Sequence, residues 1–328
     1  MNPTQINKIF DISSTADFNE TAMEIFRFQS QTNTVYREFI QKLRIKPEKI
    51  STIEQIPFLP IEFFKIHPVI AGDHKPERWF ESSGTTGIVV SRHFYSDLTL
   101  YEKSFFGAFA IHYGQPQDYC ILALLPSYLE RERSSLVYMA GKLIKASGHP
   151  ESGFYLDNLG VLAETLNRLD KSGQKVMLIG VSFALLDLIE KQLFNLKNTI
   201  IIETGGMKGR KKEMVREELH DALKSGFGVD FIHSEYGMTE LFSQAWSKGE
   251  GKFAPPPWMR ILIRDVNDPL SLAGKGATGG INIIDLANVH SCSFVATQDL
   301  GRILSDGTFE VLGRFDEAEI RGCNLLVA

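Results

Sequence analysis

The stretch Glu81-Ser82-Ser83-Gly84-Thr85-Thr86-Gly87 packs four hydroxyls and two glycines into seven residues. Glycine leaves the backbone free to curl, so successive N–H groups can converge on an anion, and the hydroxyls can add bonds to phosphate oxygens. No Gly-Lys-Ser/Thr closes the stretch, so it is not a Walker A loop. A polar linker is the plain alternative.

Thr204-Gly205-Gly206-Met207 directly follows the apolar run Ile200-Ile201-Ile202. Glycines at the carboxyl end of a buried strand let a ligand approach the backbone, and open α/β sheets bind ligands at that edge. Tyr236-Gly237-Met238-Thr239-Glu240 offers an aromatic face for a base, a hydroxyl for phosphate and a carboxylate for Mg²⁺. Magnesium takes one or two carboxylates plus substrate phosphates, so Glu240 alone is enough. Further on, Asp299 in Thr297-Gln298-Asp299-Leu300-Gly301 is an acid for ribose hydroxyls, and Arg314 in Gly313-Arg314-Phe315-Asp316 is a guanidinium for ribose or phosphate. Taken alone, each segment also reads as an ordinary turn or surface pair.

The elements that must position these residues follow from hydrophobic period. Phe18 to Leu43 carries apolar residues at helical spacing, and residues 1–75 read as a helical segment packed on the body. Within it, Ile56-Pro57-Phe58-Leu59-Pro60 is held extended by its prolines, and the stretch through Lys65 is expected to pack as a rigid strap. Residues 76–254 read as an α/β nucleotide-binding body. Its strands are expected at Tyr119–Leu125, Lys175–Ile179, Thr199–Ile202 and Val229–Ile232, with helices at Leu129–Ser147, Phe183–Leu196 and Lys208–Lys224. After Pro255-Pro256-Pro257, a stiff linker, residues 255–328 read as a small antiparallel β-subdomain and a short tail. Its strands fall at Met259–Val266, Gly280–Asp285, Ser291–Ala296 and Gly301–Leu304, the last pairing with Phe309–Leu312 across Ser305-Asp306-Gly307.

Composition bounds the function. The 328 residues carry 35 basic and 40 acidic side chains, a net charge of −5, with no excess of cations to hold a phosphate backbone. Nucleic acid is therefore not an expected partner. No apolar run approaches the ~20 residues of a membrane span, and the N-terminus lacks the pattern of a signal peptide. Three cysteines make no disulfide framework, so the cytoplasm is the expected setting.

In this order, Ser-Ser-Gly-Thr-Thr-Gly, Gly-Gly, Tyr-Gly-Met-Thr-Glu, Asp-Leu-Gly and Gly-Arg-x-Asp resemble the adenylate-forming superfamily of acyl- and aryl-CoA synthetases, over about residues 56 to 323. The resemblance implies an α/β fold, the N-terminal domain of those enzymes, with a mostly parallel sheet and a small antiparallel β-subdomain. It implies that Ser82, Ser83, Gly84, Thr85, Thr86 and Gly87 grip the ATP phosphates. Gly205, Gly206, Met207, Tyr236 and Gly237 would enclose adenine, Thr239 and Glu240 would serve phosphate and Mg²⁺, and Asp299 would take the ribose hydroxyls beside Arg314. The usual Pro-Lys after the phosphate loop is replaced by Val89-Val90, and Arg92 is the candidate for the missing cation. His233 is a candidate for the carboxylate pocket, or a packed strand-end histidine.

Only fourteen residues follow Arg314, so the mobile C-terminal domain with its catalytic lysine is expected to be absent. Acyl-protein synthetases of the LuxE type resemble this chain best, through Ile56-Pro57-Phe58-Leu59-Pro60 and Glu319-Ile320-Arg321-Gly322-Cys323-Asn324. Their chemistry implies acyl-AMP formation from a fatty acid and ATP, transfer to a cysteine, and delivery to a partner such as an acyl-protein reductase. Cys323, one residue from Arg321, is the candidate acceptor, because neighbouring positive charge favours the thiolate. Cys120 and Cys292 sit in strand patterns and read as core.

Two other classes are weighed. Gly180-Val181-Ser182-Phe183-Ala184 imitates the nucleophile elbow of a serine α/β-hydrolase, with Asp265 and His290 following in a permissible order. A non-catalytic relative that only binds nucleotide or acyl-adenylate is the other.

Overall fold

A computed structural model describes residues 6–73, 75–82, 89–125, 132–156, 158–205 and 214–315. In chain order the helices used below are α1 (Thr15–Thr32), α2 (Thr34–Lys42), α3 (Thr99–Tyr113), α4 (Ser135–Ser147), α5 (Leu159–Lys171), α6 (Ser182–Lys191) and α7 (Arg216–Phe227). The strands are β1 (Leu59–Pro60), β2 (Cys120–Leu124), β3 (Gly153–Phe154), β4 (Val176–Gly180), β5 (Thr199–Glu203), β6 (His233–Tyr236), β7 (Ala245–Ser247), β8 (Met259–Arg264), β9 (Gly279–Asp285), β10 (Phe294–Ile303) and β11 (Phe309–Arg314). They fall into two units. One comprises the described residues of Met1–Arg78, Ser91–Ser96 and Pro257–Ala328, the other those of Trp79–Val90 and Asp97–Pro256. The boundary between Pro256 and Pro257 lies inside the triple proline.

The second unit holds the mostly parallel sheet, in the order β3-β2-β4-β5-β6-β7. Every pairing is parallel except the last, where β7 runs antiparallel to β6. Strands β2 and β4 are buried at every position, which is why they read in sequence as continuous apolar runs rather than alternating ones. Ser134 caps α4 by accepting from the Val137 N–H at 3.3 Å, and Gly148 closes that helix in the left-handed region at φ 67°.

One strand differs from expectation. Val229–Ile232 is not a strand; the ladder starts at His233 and runs through Tyr236. Phe231 is 56% exposed, so the apolar run is a connection leaving the Gly228 cap of α7. The polar His-Ser-Glu-Tyr takes the ladder instead because its side chains find partners inside, His233 on Tyr113 and Ser234 on His220. Intrinsic β-propensity yields to that context.

In the first unit the antiparallel order is β11-β10-β9-β8. The expected strands Ser291–Ala296 and Gly301–Leu304 are one strand, β10, which continues through Thr297–Gly301 with a register shift at Leu300/Gly301. The Ser305-Asp306-Gly307 turn closes as expected. The Leu304 N–H donates to the Thr308 carbonyl at 2.8 Å, and Gly307 sits at φ 87°.

The helical segment belongs to this same unit and packs on the β-subdomain. Ser14 caps α1 by accepting from the Asp17 N–H at 3.1 Å, and Phe18, Ala22, Ile25, Phe26 and Gln29 form its buried stripe. Gln29 donates through Nε2 to the carbonyls of Asn288 and Val289 at 3.1 and 3.0 Å and accepts from the Ser293 N–H at 2.9 Å. Stranding one of these buried groups costs about 1–3 kcal/mol, more than each bond contributes net. The continuous helix expected from Phe18 to Leu43 is broken at Asn33. Its extended backbone ends α1, its Oδ1 caps α2 through the Tyr36 N–H, and its Nδ2 donates to the Ser291 carbonyl at 2.8 Å.

The proline-held stretch becomes strand β1, paired in parallel with Val295 and Ala296 of β10, and gives way to a helical turn at Phe63–Ile66. Among the described residues no helix is long and apolar enough to cross a membrane.

Candidate active site

Three strands of the second unit end side by side. Register pairs Gly180 of β4 with Glu203 of β5, and Glu203 with Ser234 of β6. The segments that follow, Val181-Ser182, Thr204-Gly205 and Gly237 to Glu240, therefore emerge from one sheet edge, where an open α/β sheet receives ligands.

Gly205 is exposed at φ 77°, in the left-handed region, and a side chain built there would point into open space among the described residues. Gly206 and Met207 lie outside the described residues. On β6, the Tyr236 ring is buried, 5.7 Å from that of Phe253. Gly237 has no room for a side chain, since a Cβ would lie 2.2 Å from Glu235 Oε1 and 3.0 Å from Gln244 Cγ. The Leu241 N–H then donates to the Met238 carbonyl at 3.2 Å, closing a turn that leaves Thr239 half-buried and Glu240 buried.

Sequence reading missed two acids at this edge. Glu203 is buried at the end of β5, and its Oε1 accepts from the Ser182 hydroxyl at 2.5 Å and the Gly205 N–H at 2.6 Å. Glu235 sits between Ser234 and Tyr236. Burial first, and then Glu203, push its carboxyl up to about 8. An acid inside the Ile-rich run of β5 and one beside the Tyr-Gly motif were the available signals. The hydroxyl of Ser182 is thus spent on a carboxylate. Among the described residues its partner is Glu203 and not a histidine, which argues against the nucleophile elbow.

His233 opens β6 with its Nδ1 3.2 Å from the Tyr113 hydroxyl and the two rings 5.7 Å apart. Burial, with a smaller contribution from Lys248, lowers it to about 4, so the imidazole is neutral at neutral pH. Ser82 is half-buried at the end of the strand Arg78–Glu81. Just before it, Glu81 Oε1 accepts from Trp79 Nε1 at 2.7 Å and from Arg133 at 3.0 Å, with the Arg133 guanidinium 4.1 Å over the Trp79 ring. These contacts fix Glu81, the residue before Ser82. Ser83, Gly84, Thr85, Thr86 and Gly87 lie outside the described residues, as does Cys323.

In the first unit, Asp299 is buried in the middle of β10, and Arg314 of β11 lies opposite it in register. Arg314 Nε donates to Asp299 Oδ1 at 3.0 Å, and the Asp299 N–H donates to Thr297 Oγ1 at 3.1 Å. The strand beneath is braced by Arg264, another residue that sequence reading did not single out. Its guanidinium donates to the carbonyls of Ile281 and Thr297 and to Asn282 Oδ1. Gly280 makes room for it, because a Cβ there would lie 2.4 Å from Arg264 Cζ. Arg92 is an exposed residue of the strand Arg92–Tyr95.

The family model for acyl-protein synthetase, LuxE, matches residues 12–328. The chain belongs to the LuxE acyl-protein synthetase family. Among solved structures, this LuxE-family chain is similar to an open conformation of 2-hydroxyisobutyryl-CoA ligase in complex with 2-HIB-AMP and CoA. The identity is 12% and the TM-score 0.67, over 93% of this chain and 72% of the other. It is also similar to ATP-bound MatB from Rhodopseudomonas palustris, at 19% identity and a TM-score of 0.53, over 74% of this chain and 50% of MatB. The fold is that of the N-terminal domain of adenylate-forming enzymes. No curated protein sequence matches the LuxE-family chain.

Proposed function

We propose that this LuxE-family chain activates a carboxylic acid, a fatty acid in preference, by forming acyl-AMP from ATP. It then moves the acyl group to Cys323 and on to an acyl-accepting partner such as an acyl-protein reductase, in the cytoplasm. Family membership and fold support the adenylating step. The observation that carries it is the shared sheet edge, where Thr204-Gly205 and Gly237 to Glu240 follow neighbouring strands paired in register. In the second unit Gly205 and Tyr236 would take adenine and Ser82 to Gly87 the phosphates; in the first, Asp299 would take the ribose hydroxyls.

The acid's carboxylate attacks the α-phosphorus, the bond to the β-phosphate oxygen breaks, and pyrophosphate leaves. Cys323 gives its thiol proton to solvent, the thiolate attacks the acyl carbon, the bond from that carbon to the phosphate oxygen breaks, and AMP leaves. The mixed anhydride preserves the free energy of ATP, so the second step needs no further energy source. His233, neutral at working pH, adds no charge beside the carboxylate. Among the described residues no group of three or more His, Cys, Asp or Glu could hold a metal ion by itself. A cation bound largely by substrate phosphates fits that donor set, with Glu240 as the protein's carboxylate. Bound there, Mg²⁺ would neutralise charge on the phosphates.

Carboxylate-dependent exchange of labelled pyrophosphate into ATP, run across fatty and aromatic acids without coenzyme A, tests the reading. Exchange with one acid class is expected. ATP binding without exchange for any acid would leave a nucleotide-binding protein in its place.

A further inference from the structure

The motif that imitates a hydrolase elbow has a use in this fold. The turn after β4 and the turn after β5 are tied together. The Thr204 N–H donates to the Gly180 carbonyl at 3.0 Å, and the Thr204 hydroxyl reaches the same oxygen at 3.4 Å. Ser182, at the start of α6, donates to Glu203 Oε1, and that same oxygen takes the Gly205 N–H. Gly180 leaves room for α6 and β2 to pack on this turn, since a Cβ there would lie 2.8 Å from Leu185 Cδ2 and 3.2 Å from Leu124 Cβ.

A structural role alone accounts poorly for Glu203. It caps a run whose neighbours Ile201 and Ile202 are fully buried, and it lies close enough to Glu235 to raise that carboxyl. His220 of α7 also feels its charge. An apolar side chain would fill the position without the cost of desolvating a carboxylate beside a second acid. What Glu203 does that an apolar residue cannot is fix the peptide of Gly205, an exposed glycine held at positive φ, with no atom of the described residues within 4 Å of where a Cβ would sit.

Resting on the adenylation reading, we infer that Ser182 and Glu203 are positioning residues for the nucleotide. The Ser182–Glu203–Gly205 relay holds the Gly205 backbone platform in the orientation that receives the adenine ring. Neither side chain need touch ATP. Ser182 fixes the carboxylate, the carboxylate fixes the amide, and the amide sets the plane of the turn. A turn freed to rotate must be reordered by each incoming nucleotide, so the loss falls on ATP affinity and not on the acid.

The test is the separate KM of ATP and of the acid in pyrophosphate exchange, with direct ATP binding, for the unaltered chain, Ser182→Ala, Glu203→Ala and Glu203→Gln. Glu203→Ala is expected to raise the ATP KM about tenfold or more, and Ser182→Ala about three- to tenfold, with the acid KM moving less than about twofold. Glu203→Gln, whose amide oxygen accepts from both donors, is expected to recover most of the loss. Folded variants whose ATP KM stays within about twofold of the unaltered chain overturn the relay alone, as does a parallel rise in both KM values. Should Glu203→Ala not fold, Ser182→Ala decides. An unaltered chain that binds no ATP overturns both the relay and the adenylation reading.

Discussion

Arg314 sits directly opposite Asp299 across the β10–β11 ladder, and its Nε donates to Asp299 Oδ1 at 3.0 Å. The carboxylate is 7% exposed and the guanidinium 73%, so the acid is fixed by the sheet while the base reaches outward. In the proposed reaction the acid meets ribose hydroxyls. Asp299→Ala is expected to raise the ATP KM by roughly ten- to a hundredfold, the size of a lost charge-assisted hydrogen bond, with little change in the acid KM. Arg314→Ala is expected to cost less, since an exposed pair contributes under about 1 kcal/mol. Equal effects of the two variants would contradict this ordering.

Gly237 leaves no space for a methyl group against Glu235 Oε1. Gly237→Ala is therefore expected to displace the start of the Tyr-Gly turn, destabilising the chain by about 1–3 kcal/mol and depressing exchange. Denaturant unfolding beside exchange kinetics checks both. Full stability with full activity would show that Glu235 moves aside freely.

Glu235 and His233 pull stability in opposite directions with pH, so together they leave it level between about 4.5 and 6.5 and falling on either side, toward 8 through Glu235 and toward 4 through His233. Glu235 titrates near about 8 folded but near 4.5 unfolded, so the folded state holds an extra proton between those values. Its contribution is complete below 4.5 and is lost as pH rises toward 8, by up to ~1.4 kcal/mol per pH unit. His233 is lowered from 6.5 to about 4, so the unfolded state holds the extra proton there, and stability is lost as pH falls through that window. Glu235→Gln is expected to gain on the parent chain as pH rises, and His233→Asn as pH falls. Differences independent of pH, measured by denaturant unfolding at pH 5, 7 and 9, would contradict both.

Cys323→Ser is expected to leave pyrophosphate exchange intact while abolishing any thioester-linked acyl enzyme. A hydroxylamine-labile acyl group that persists in the variant would put the thioester on another residue.

Glu240→Ala is expected to lower exchange and to raise the Mg²⁺ concentration needed for half-maximal rate, by about tenfold. An unchanged magnesium titration would remove the metal assignment.

The sheet, its crossovers and the antiparallel subdomain were legible in sequence because β2 and β4 are buried on both faces and the Asp306-Gly307 turn has a local signature. The segments proposed to take nucleotide stand in the sequence as ordered motifs. What sequence hid was set by tertiary context. Asn33 gave no apolar-period signal for the break it makes, since its capping bond and its bond to Ser291 exist only once the helices meet the subdomain. The Val229–Ile232 run has strand composition but a largely exposed Phe231, so period alone placed β6 too early. Glu203 was passed over because an acid after three isoleucines also looks like the ordinary end of a strand. Its partners Ser182 and Gly205 lie on two different turns.

The first unit is assembled from both ends of the chain, and its discontinuity sets a timetable. Gln29 must wait for carbonyl partners up to 260 residues downstream, while the whole of the second unit is synthesised in between. At about 5–20 residues per second, that interval is roughly 13 to 50 s. Throughout it, the Phe18, Ala22, Ile25 and Phe26 stripe of α1 lacks the strand that covers it in the finished protein. A nascent chain of this architecture is therefore a natural client for chaperones that shield apolar helices near the ribosome, and a stalled or truncated message leaves that stripe permanently uncovered.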